Sequence, residues 1–399
     1  MTRAAALDGL NFSLADSASV LGPYLGIYLL TVLHWDQAAI GLVAMAGGLA
    51  GIAAQIPAGA AVDATRAKRA TLVAGLGALS LAATLLVWWP TTPVIVGVAI
   101  VVALVGALQG PAVAALTLGL FEPNEFARRM GRNAAFDHAG NVFTALAVAV
   151  VGSLLSQRSV FLLVPVLSLA AAVCVLGIRP ESIDHERARG GGGKPLSVAD
   201  LLANRPLVVF AGCIALFHLA NAAMLPLVGQ RLALAHAGYE SAMLSACIVG
   251  AQMVMLPVAL LCGVHADRVG RKPFLMAGFV VLALRGLLYT VNDAPAWLLG
   301  VQLLDGIGAG VLGVLVPLQV ADLTEGSGRY NVSLAAVAML GGIGAALSNG
   351  LAGIIVARAS YDWAFTSLSL VALAGLVLLW ARLPETAPPS EITLVAGSN

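Results

Sequence analysis

The sequence predicts an all-α membrane protein whose twelve transmembrane helices form two pseudo-symmetric bundles of six. Three observations predict this class. The chain is 60% hydrophobic and only 10% charged, whereas soluble domains carry about 25% charged residues. Twelve apolar runs are long enough to cross a bilayer. A short basic segment between two such runs occurs twice, once in each half of the chain.

Each apolar run is predicted to be a helix, because lipid cannot satisfy the open backbone groups of an unpaired strand. A span of the membrane needs about 20 apolar residues. The predicted spans lie near residues 9–33, 38–61, 70–90, 93–119, 132–155, 159–178, 206–232, 240–262, 274–291, 296–318, 331–356 and 363–382.

A polar segment divides the spans into two groups of six. It contains four consecutive glycines at positions 190–193, a composition that predicts a flexible linker. We therefore expect an N-terminal six-helix bundle at 1–178, a cytoplasmic linker at 179–205, and a C-terminal six-helix bundle with a short tail at 206–399.

The distribution of Lys and Arg predicts the orientation. Cytoplasmic loops of membrane proteins collect these residues. Here almost all of them fall on the side that holds both chain ends, and the opposite side holds only Arg158, Arg231 and Arg358. We expect a multi-pass protein of the bacterial cytoplasmic membrane, with both termini and both basic segments in the cytoplasm.

The two basic segments share one pattern, a glycine four residues before an aspartate and then a cluster of cations. The first copy contains Gly59, Asp63, Arg66, Lys68 and Arg69, and the second contains Gly263, Asp267, Arg268, Arg271 and Lys272. The pattern resembles the signature loop of the major facilitator superfamily, glycine-x-x-x-aspartate-arginine-x-glycine followed by basic residues. The second copy matches it fully, whereas the first has Ala64 in place of the arginine and Arg66 in place of the second glycine.

The resemblance implies two bundles around a central site, working as a transporter by alternating access. It also implies that the two segments latch the cytoplasmic side. Physically, a glycine permits close helix approach, an aspartate accepts hydrogen bonds from a facing helix terminus, and an arginine pairs with carboxylates. The alternative is that the cations only follow the cytoplasmic bias. The predicted latch residues are Gly59, Asp63, Arg66, Gly263, Asp267, Arg268 and Arg271.

Ionisable residues inside spans are candidate functional residues, because each costs about 3 kcal/mol to insert. In the family that this chain resembles, the first and seventh spans line the central cavity. Asp16 and Tyr24 in the first span, and His218 and Asn221 in the seventh, are therefore candidates for proton coupling or substrate binding. His218 could equally be a structural residue.

The fifth span carries a polar stripe. Asn133, Asp137 and Asn141 recur every four residues and so share one helix face. The stripe could line a cavity or relay protons, or it could form a gate or a helix contact. His138 points away from it and could be a packing residue. Gln252 in the eighth span is a further candidate.

Arg285 in the ninth span and Asp305 in the tenth are predicted to lie near the middle of the membrane. Neither charge is expected to stay unpaired there, so we predict a buried ion pair between them. The pair could be static and structural. Alternatively, a proton or an anionic group of a substrate could break it during transport.

The other features favour a transporter over an enzyme or a nucleic-acid-binding protein. The net charge is +1, the four cysteines lack metal-ligand spacing, and no phosphate-binding glycine-rich loop is present. We expect no cofactor and no metal. The predicted function is transport of a small, polar or charged organic solute, driven by a proton gradient and performed by a monomer in the lipid bilayer.

Two rival functions remain open. One is a proton-driven efflux antiporter for drugs or toxic compounds, because Gln109-Gly110 in the fourth span resembles a segment of such exporters. Those exporters carry an arginine three residues earlier, where this chain has Gly106. The other is a membrane receptor or assembly partner that transports nothing.

Overall fold

The structure is a computed structural model that describes residues 2–14, 19–186, 188, 203–236, 238–325 and 330–386. Every regular element in this part of the chain is helical. The predicted all-α class is therefore confirmed. Asp16 lies outside the described residues, as do the side chains of Asp63 and Asp267.

Seven helices precede the linker region. They are α1 (Arg3–Leu14), α2 (Pro23–Thr31), α3 (Gln37–Ala64), α4 (Lys68–Trp88), α5 (Thr92–Leu120), α6 (Pro123–Leu154) and α7 (Leu163–Leu176). Seven more follow it in the described residues. They are α8 (Arg205–Asn221), α9 (Met224–Ala235), α10 (Glu240–Val269), α11 (Arg271–Leu288), α12 (Pro295–Leu323), α13 (Tyr330–Arg358) and α14 (Tyr361–Arg382).

Two predicted spans are broken helices. The first divides into α1, a short 3-10 turn at Ser19–Leu21, and α2, which Pro23 opens. The seventh divides into α8 and α9, with Pro226 in the first turn of α9. Proline has no backbone N–H and its ring clashes with the preceding turn, so a helix tends to kink or restart there.

Ten helical segments of the described chain are long and apolar enough to cross a membrane. The two other predicted spans are the broken first span and α11. Helix α11 differs from those ten because Arg271, Lys272 and Arg285 place three charges within its 18 residues.

Several helices extend beyond the predicted apolar runs into polar sequence. Helix α6 begins at Pro123, so Arg128, Arg129 and Arg132 lie on a helix and not in the predicted loop. Helices α3 and α10 likewise continue to Ala64 and Val269. Most of each basic segment is therefore the last turns of a helix. The backbone N–H and C=O groups of these turns pair within the helix. A helix can therefore continue into polar sequence, so it is longer than its apolar run.

The described chain groups into two compact units. Unit 1 contains residues 1–194 and 229–248, and unit 2 contains residues 195–228 and 249–399. The six-and-six division of the sequence stays a prediction, because this grouping follows packing and not the repeat.

Unit 1 has a core of aliphatic side chains from α1, α3, α4, α5 and α7, including Leu7, Leu72, Leu116 and Val175. The segment 229–248 also packs within this unit. The hydroxyl groups of Tyr24 and Ser245 are 2.9 Å apart, and Gln157 donates a hydrogen bond to Glu240 over 2.9 Å.

Unit 2 contains close helix contacts at glycines. A Cβ atom at Gly306 would lie 2.3 Å from the carbonyl oxygen of Ala251, and one at Gly344 would lie 2.2 Å from that of Ala215. Helix α12 therefore touches the backbone of α10, and α13 touches that of α8. Glycine is required because no side chain fits at these distances.

Candidate functional site

A buried ion pair lies at the centre of a polar network in unit 2. Nη1 of Arg285 donates a hydrogen bond to Oδ1 of Asp305. Nη2 of the same guanidinium donates to Oδ1 of Asn221 over 2.6 Å. Arg285 is only 1% exposed. The predicted ion pair is present, and Asn221 joins it as a second acceptor.

The network extends along α11 and α12 through two further side chains. Gln302 donates from Nε2 to Oδ2 of Asp305 over 3.1 Å, and the hydroxyl of Tyr289 donates to Oε1 of Gln302. Both carboxylate oxygens of Asp305 therefore accept a hydrogen bond. This pattern fits an ionised Asp305, because a carboxylate only accepts.

Helix ends and close packing position the pair. Helix α11 ends at Leu288, so Arg285 lies in its last turn, nearer to a helix end than the predicted mid-membrane position. The negative end of the helix dipole favours a cation there. Asp305 precedes Gly306, whose contact with the α10 backbone holds this part of α12 close to its neighbour.

The side chains in the network differ in access to solvent. Gln302 is fully buried, and the guanidinium of Arg285 is almost so. The side chain of Asp305 is 20% exposed. Asp305 is therefore the member of the ion pair that lies nearer to the surface.

Two other candidates in unit 2 lie outside the hydrogen-bonded network. His218 is partly buried on α8, where its ring lies close to Gly341 of α13 and 6.0 Å from the ring of Phe217. Oε1 of Gln252 is buried and has no hydrogen-bond partner among the described residues. Neither side chain therefore contacts the ion pair through a hydrogen bond, and the roles of both stay predictions.

In unit 1 the polar stripe of α6 divides into two parts. Asn133 is buried, accepts a hydrogen bond from Arg129 over 2.8 Å and donates to Thr117 of α5 over 3.0 Å. That end of the stripe is a helix contact. Asn141 donates to the Asp137 carboxylate over 3.2 Å, and both side chains are partly exposed.

His138 and Tyr24 lie apart from the Asp137–Asn141 pair in their contacts. His138 is exposed. Tyr24 is buried and contacts Ser245. Their predicted functional roles stay predictions.

The second basic segment is held by carboxylates. Arg271 pairs with Asp322 of α12. Glu385 accepts hydrogen bonds from the backbone N–H groups of Arg271 and Lys272 over 2.9 and 3.1 Å. It thereby caps the N-terminus of α11, where unpaired N–H groups attract an anion. Gly270 at the preceding position has φ +102°, a conformation that favours glycine.

The first basic segment is held by backbone carbonyl groups. Lys68 is buried, and its ammonium group donates to the carbonyl oxygens of Val62 and Thr65, each over 2.9 Å. Arg69 donates to those of Val175 and Leu176 at the end of α7, over 3.1 and 2.8 Å. Both cations therefore neutralise the negative ends of helices.

Two predicted details of the basic segments differ from the structure. A Cβ atom at Gly59 or at Gly263 would meet no described atom within 4 Å. Neither glycine therefore permits a close helix approach in this structure. Arg66 and Arg268 are exposed, and neither forms an ion pair within the described part. Arg271 is the arginine that does pair.

The sequence reasoning missed an ion cluster in unit 1. Asp8 of α1 accepts hydrogen bonds from Arg129 over 2.6 Å and from Arg132 over 2.7 Å, both on α6. Burial alone would raise the pKa of the Asp8 carboxyl, which precedes the predicted first span. The hydrogen bonds and charges of the two arginines outweigh burial and lower it. Asp8 therefore stays ionised at neutral pH and ties α1 to α6.

The cap from Glu385 was missed as well, although the sequence carries a signal for it. Pro180-Glu181 and Pro384-Glu385 follow the two basic segments at the same distance along the chain. A search for repeats beyond the basic segments would have found this second pair.

Comparison with known proteins places these features in a family. The sequence profile described as Major Facilitator Superfamily matches residues 7–261 and 241–397. Two curated relatives, named uncharacterized MFS-type transporters of Mycobacterium tuberculosis strains CDC 1551 / Oshkosh and H37Rv, are each 48% identical over 393 residues. The alignment covers 96% of this chain and 93% of each relative.

Solved structures share the fold. Crystal structures of the nucleoside transporter NupG and of a mutant of it superpose with TM-scores of 0.77 and 0.80. The superpositions cover 96% of this chain and 99% and 100% of those chains, at 14% sequence identity. At this identity the likeness concerns the fold alone.

Proposed function

Because the chain belongs to the major facilitator superfamily, we propose that it is a secondary active transporter which moves a small polar or charged organic solute by alternating access. The observation that carries this proposal is the Arg285–Asp305 pair. A buried charge pair costs free energy to place between membrane helices. That cost is explained if Arg285 and Asp305 exchange their partners during transport.

Proton coupling follows from the chemistry of the two partners. Arg285 keeps its charge at any physiological pH, so only Asp305 can take up a proton. Protonation of Asp305 would leave the guanidinium with the neutral oxygen of Asn221. An anionic group on the solute could then supply the missing charge. In this mechanism, proton uptake and binding of an anionic solute favour the same state.

The proposed setting is the bacterial cytoplasmic membrane, with both termini in the cytoplasm and a monomer as the working unit. The bias of Lys and Arg to one side of the predicted spans supports this orientation. The solute itself would be the partner, and the proton gradient would supply the energy.

Transport in reconstituted vesicles tests the proposal. Purified protein in vesicles that contain a pH-sensitive dye is given a panel of anionic and neutral metabolites under an imposed pH gradient. We expect at least one anionic solute to move protons together with itself. Asp305→Asn should abolish this coupled proton movement, because amide side chains do not titrate.

Asp293→Asn is the matched control, because Asp293 is exposed in the turn between α11 and α12. It should leave the coupled movement unchanged. If a correctly folded Asp305→Asn variant moves protons with the solute as the parent does, Asp305 is not the coupling group. If no solute of any class moves, the protein is not a transporter of small metabolites.

A further inference from the structure

A cavity of about 530 Å³ lies in unit 1 where α4 begins and α7 ends. This volume is in the range of small-molecule sites. Arg66, Arg69 and His185 line it together with Val73 and Leu176. The cavity therefore combines a basic part with an apolar part, and neither belongs to the site in unit 2.

The basic part has hydrogen-bond donors that no described residue uses. Arg66 is exposed and forms no hydrogen bond or ion pair with a described residue. Arg69 uses Nε and Nη2 on the end of α7, which leaves Nη1 without such a bond. Nδ1 of His185 is buried and has no partner among the described residues. Buried polar atoms usually have a hydrogen-bond partner, so Nδ1 of His185 and the two guanidinium groups can bind a ligand that enters the cavity.

The ligand of such a group is an anion. Guanidinium groups bind phosphate oxygens with good geometry. Asp184 and Glu186 flank His185 in sequence, but neither lines the cavity. Among the described residues that line it, every charged group is a cation or a histidine.

The apolar part continues along the membrane-facing surface of two helices. On α4 the exposed residues Ala70, Ala74 and Leu81 share one face, and on α7 Leu169, Val173 and Leu176 do so. Leu176 lines the cavity and is 60% exposed. These faces have the composition of a surface in contact with acyl chains, and they start at the basic cavity.

We propose that this cavity binds the phosphate headgroup of an anionic phospholipid, with the acyl chains lying along α4 and α7. The position fits a lipid better than a soluble phosphate compound. The cations lie between two helices that are long and apolar enough to cross a membrane, and the walls lead from them to the apolar faces. Anionic lipids attract cations at this depth of the cytoplasmic leaflet.

Native mass spectrometry of the purified full-length protein tests this site. The protein in detergent receives equimolar phosphatidylglycerol and phosphatidylcholine, and in a second experiment glycerol phosphate as a soluble competitor. We expect phosphatidylglycerol to be retained preferentially and glycerol phosphate to displace little of it. Arg66→Gln should lower phosphatidylglycerol affinity about fivefold, the effect of one cation at a membrane surface.

Two further variants keep the test decisive. Ala74→Trp leaves the charges intact but fills the apolar wall, and it should lower phosphatidylglycerol binding as well. Arg382→Gln removes an exposed cation at the end of α14 that does not line the cavity, and should have no effect. The proposal is wrong if both lipids bind equally to the parent, or if Arg66→Gln and Arg382→Gln act alike. It is also wrong if glycerol phosphate displaces the lipid completely, since the ligand would then be a soluble anion.

Discussion

The basic segment of the second half is held by carboxylates and by one backbone carbonyl group, whereas the contacts seen in the described part of the first half go to backbone carbonyl groups. Arg271 pairs with Asp322, and Glu385 caps α11. In the first half, Ala67 occupies the position of Arg271, and Lys68 and Arg69 donate to helix ends. The repeat therefore preserves one contact, because Lys272 donates to the carbonyl oxygen of Trp380 over 2.8 Å as Arg69 does to that of the equivalent Leu176. The carboxylate contacts of Arg271 have no counterpart among the described residues of the first half.

The same contrast recurs within the spans. Unit 2 contains the Arg285–Asp305 pair. In the first half, the fourth span carries Gln109, and its Nε2 is buried without a partner among the described residues. Unit 1 instead has its ion cluster at Asp8 on α1. The two halves thus use charge at different places, and three sets of substitutions test how the halves differ.

The largest effect is expected for the buried pair. Asp305→Asn removes the carboxylate and leaves Arg285 as an uncompensated buried cation, which should cost about 3–5 kcal/mol of unfolding free energy. Denaturation of the purified protein in mixed micelles measures this. The double variant with Arg285→Met should recover much of the loss, because no unpaired charge remains. A double variant as unstable as the single one would show that the pair contributes little.

A smaller effect is expected at the glycine that follows Asp305. Gly306→Ala places a Cβ atom 2.3 Å from the Ala251 carbonyl oxygen, so α10 and α12 must separate, at a cost of about 1–3 kcal/mol. Gly110 in α5 serves as a control glycine within a span of the first half, because a Cβ atom there meets nothing within 4 Å among the described residues. Gly110→Ala should be neutral or stabilising by about 0.5–1 kcal/mol. Thermal unfolding of both variants measures the two effects. Equal losses of stability would contradict the expected difference between the two glycines.

The smallest effect is expected at the two Pro-Glu motifs. Glu385→Gln removes the charge that caps α11 and should cost about 1 kcal/mol. Glu181 is exposed and forms no hydrogen bond with a described residue, so Glu181→Gln should stay within about 0.5 kcal/mol of the parent. Chemical denaturation at low and high salt measures both. A loss at Glu181 as large as that at Glu385 would mean that the motifs are equivalent.

Sequence reasoning reached the family and the main ion pair because both depend on strong local signals. Apolar runs, the cation bias and the two basic segments each follow from the cost of placing charge in lipid. That cost also predicts that Arg285 and Asp305 find each other. The helix ends were less predictable, since α6 begins well before its apolar run. Pro23 and Pro226 indicate bends in the first and seventh spans, but not that each span divides into two helices.

By itself, the sequence determined which segments are helical, which family they belong to and which two charges must be paired in the membrane. Only the tertiary structure decided the remaining partners: Asn221 for Arg285, Arg129 and Arg132 for Asp8, and Glu385 for the start of α11. The physical reason is range. Hydropathy and charge placement act on each segment separately, whereas a hydrogen bond requires two atoms within about 3 Å, which depends on how distant helices pack.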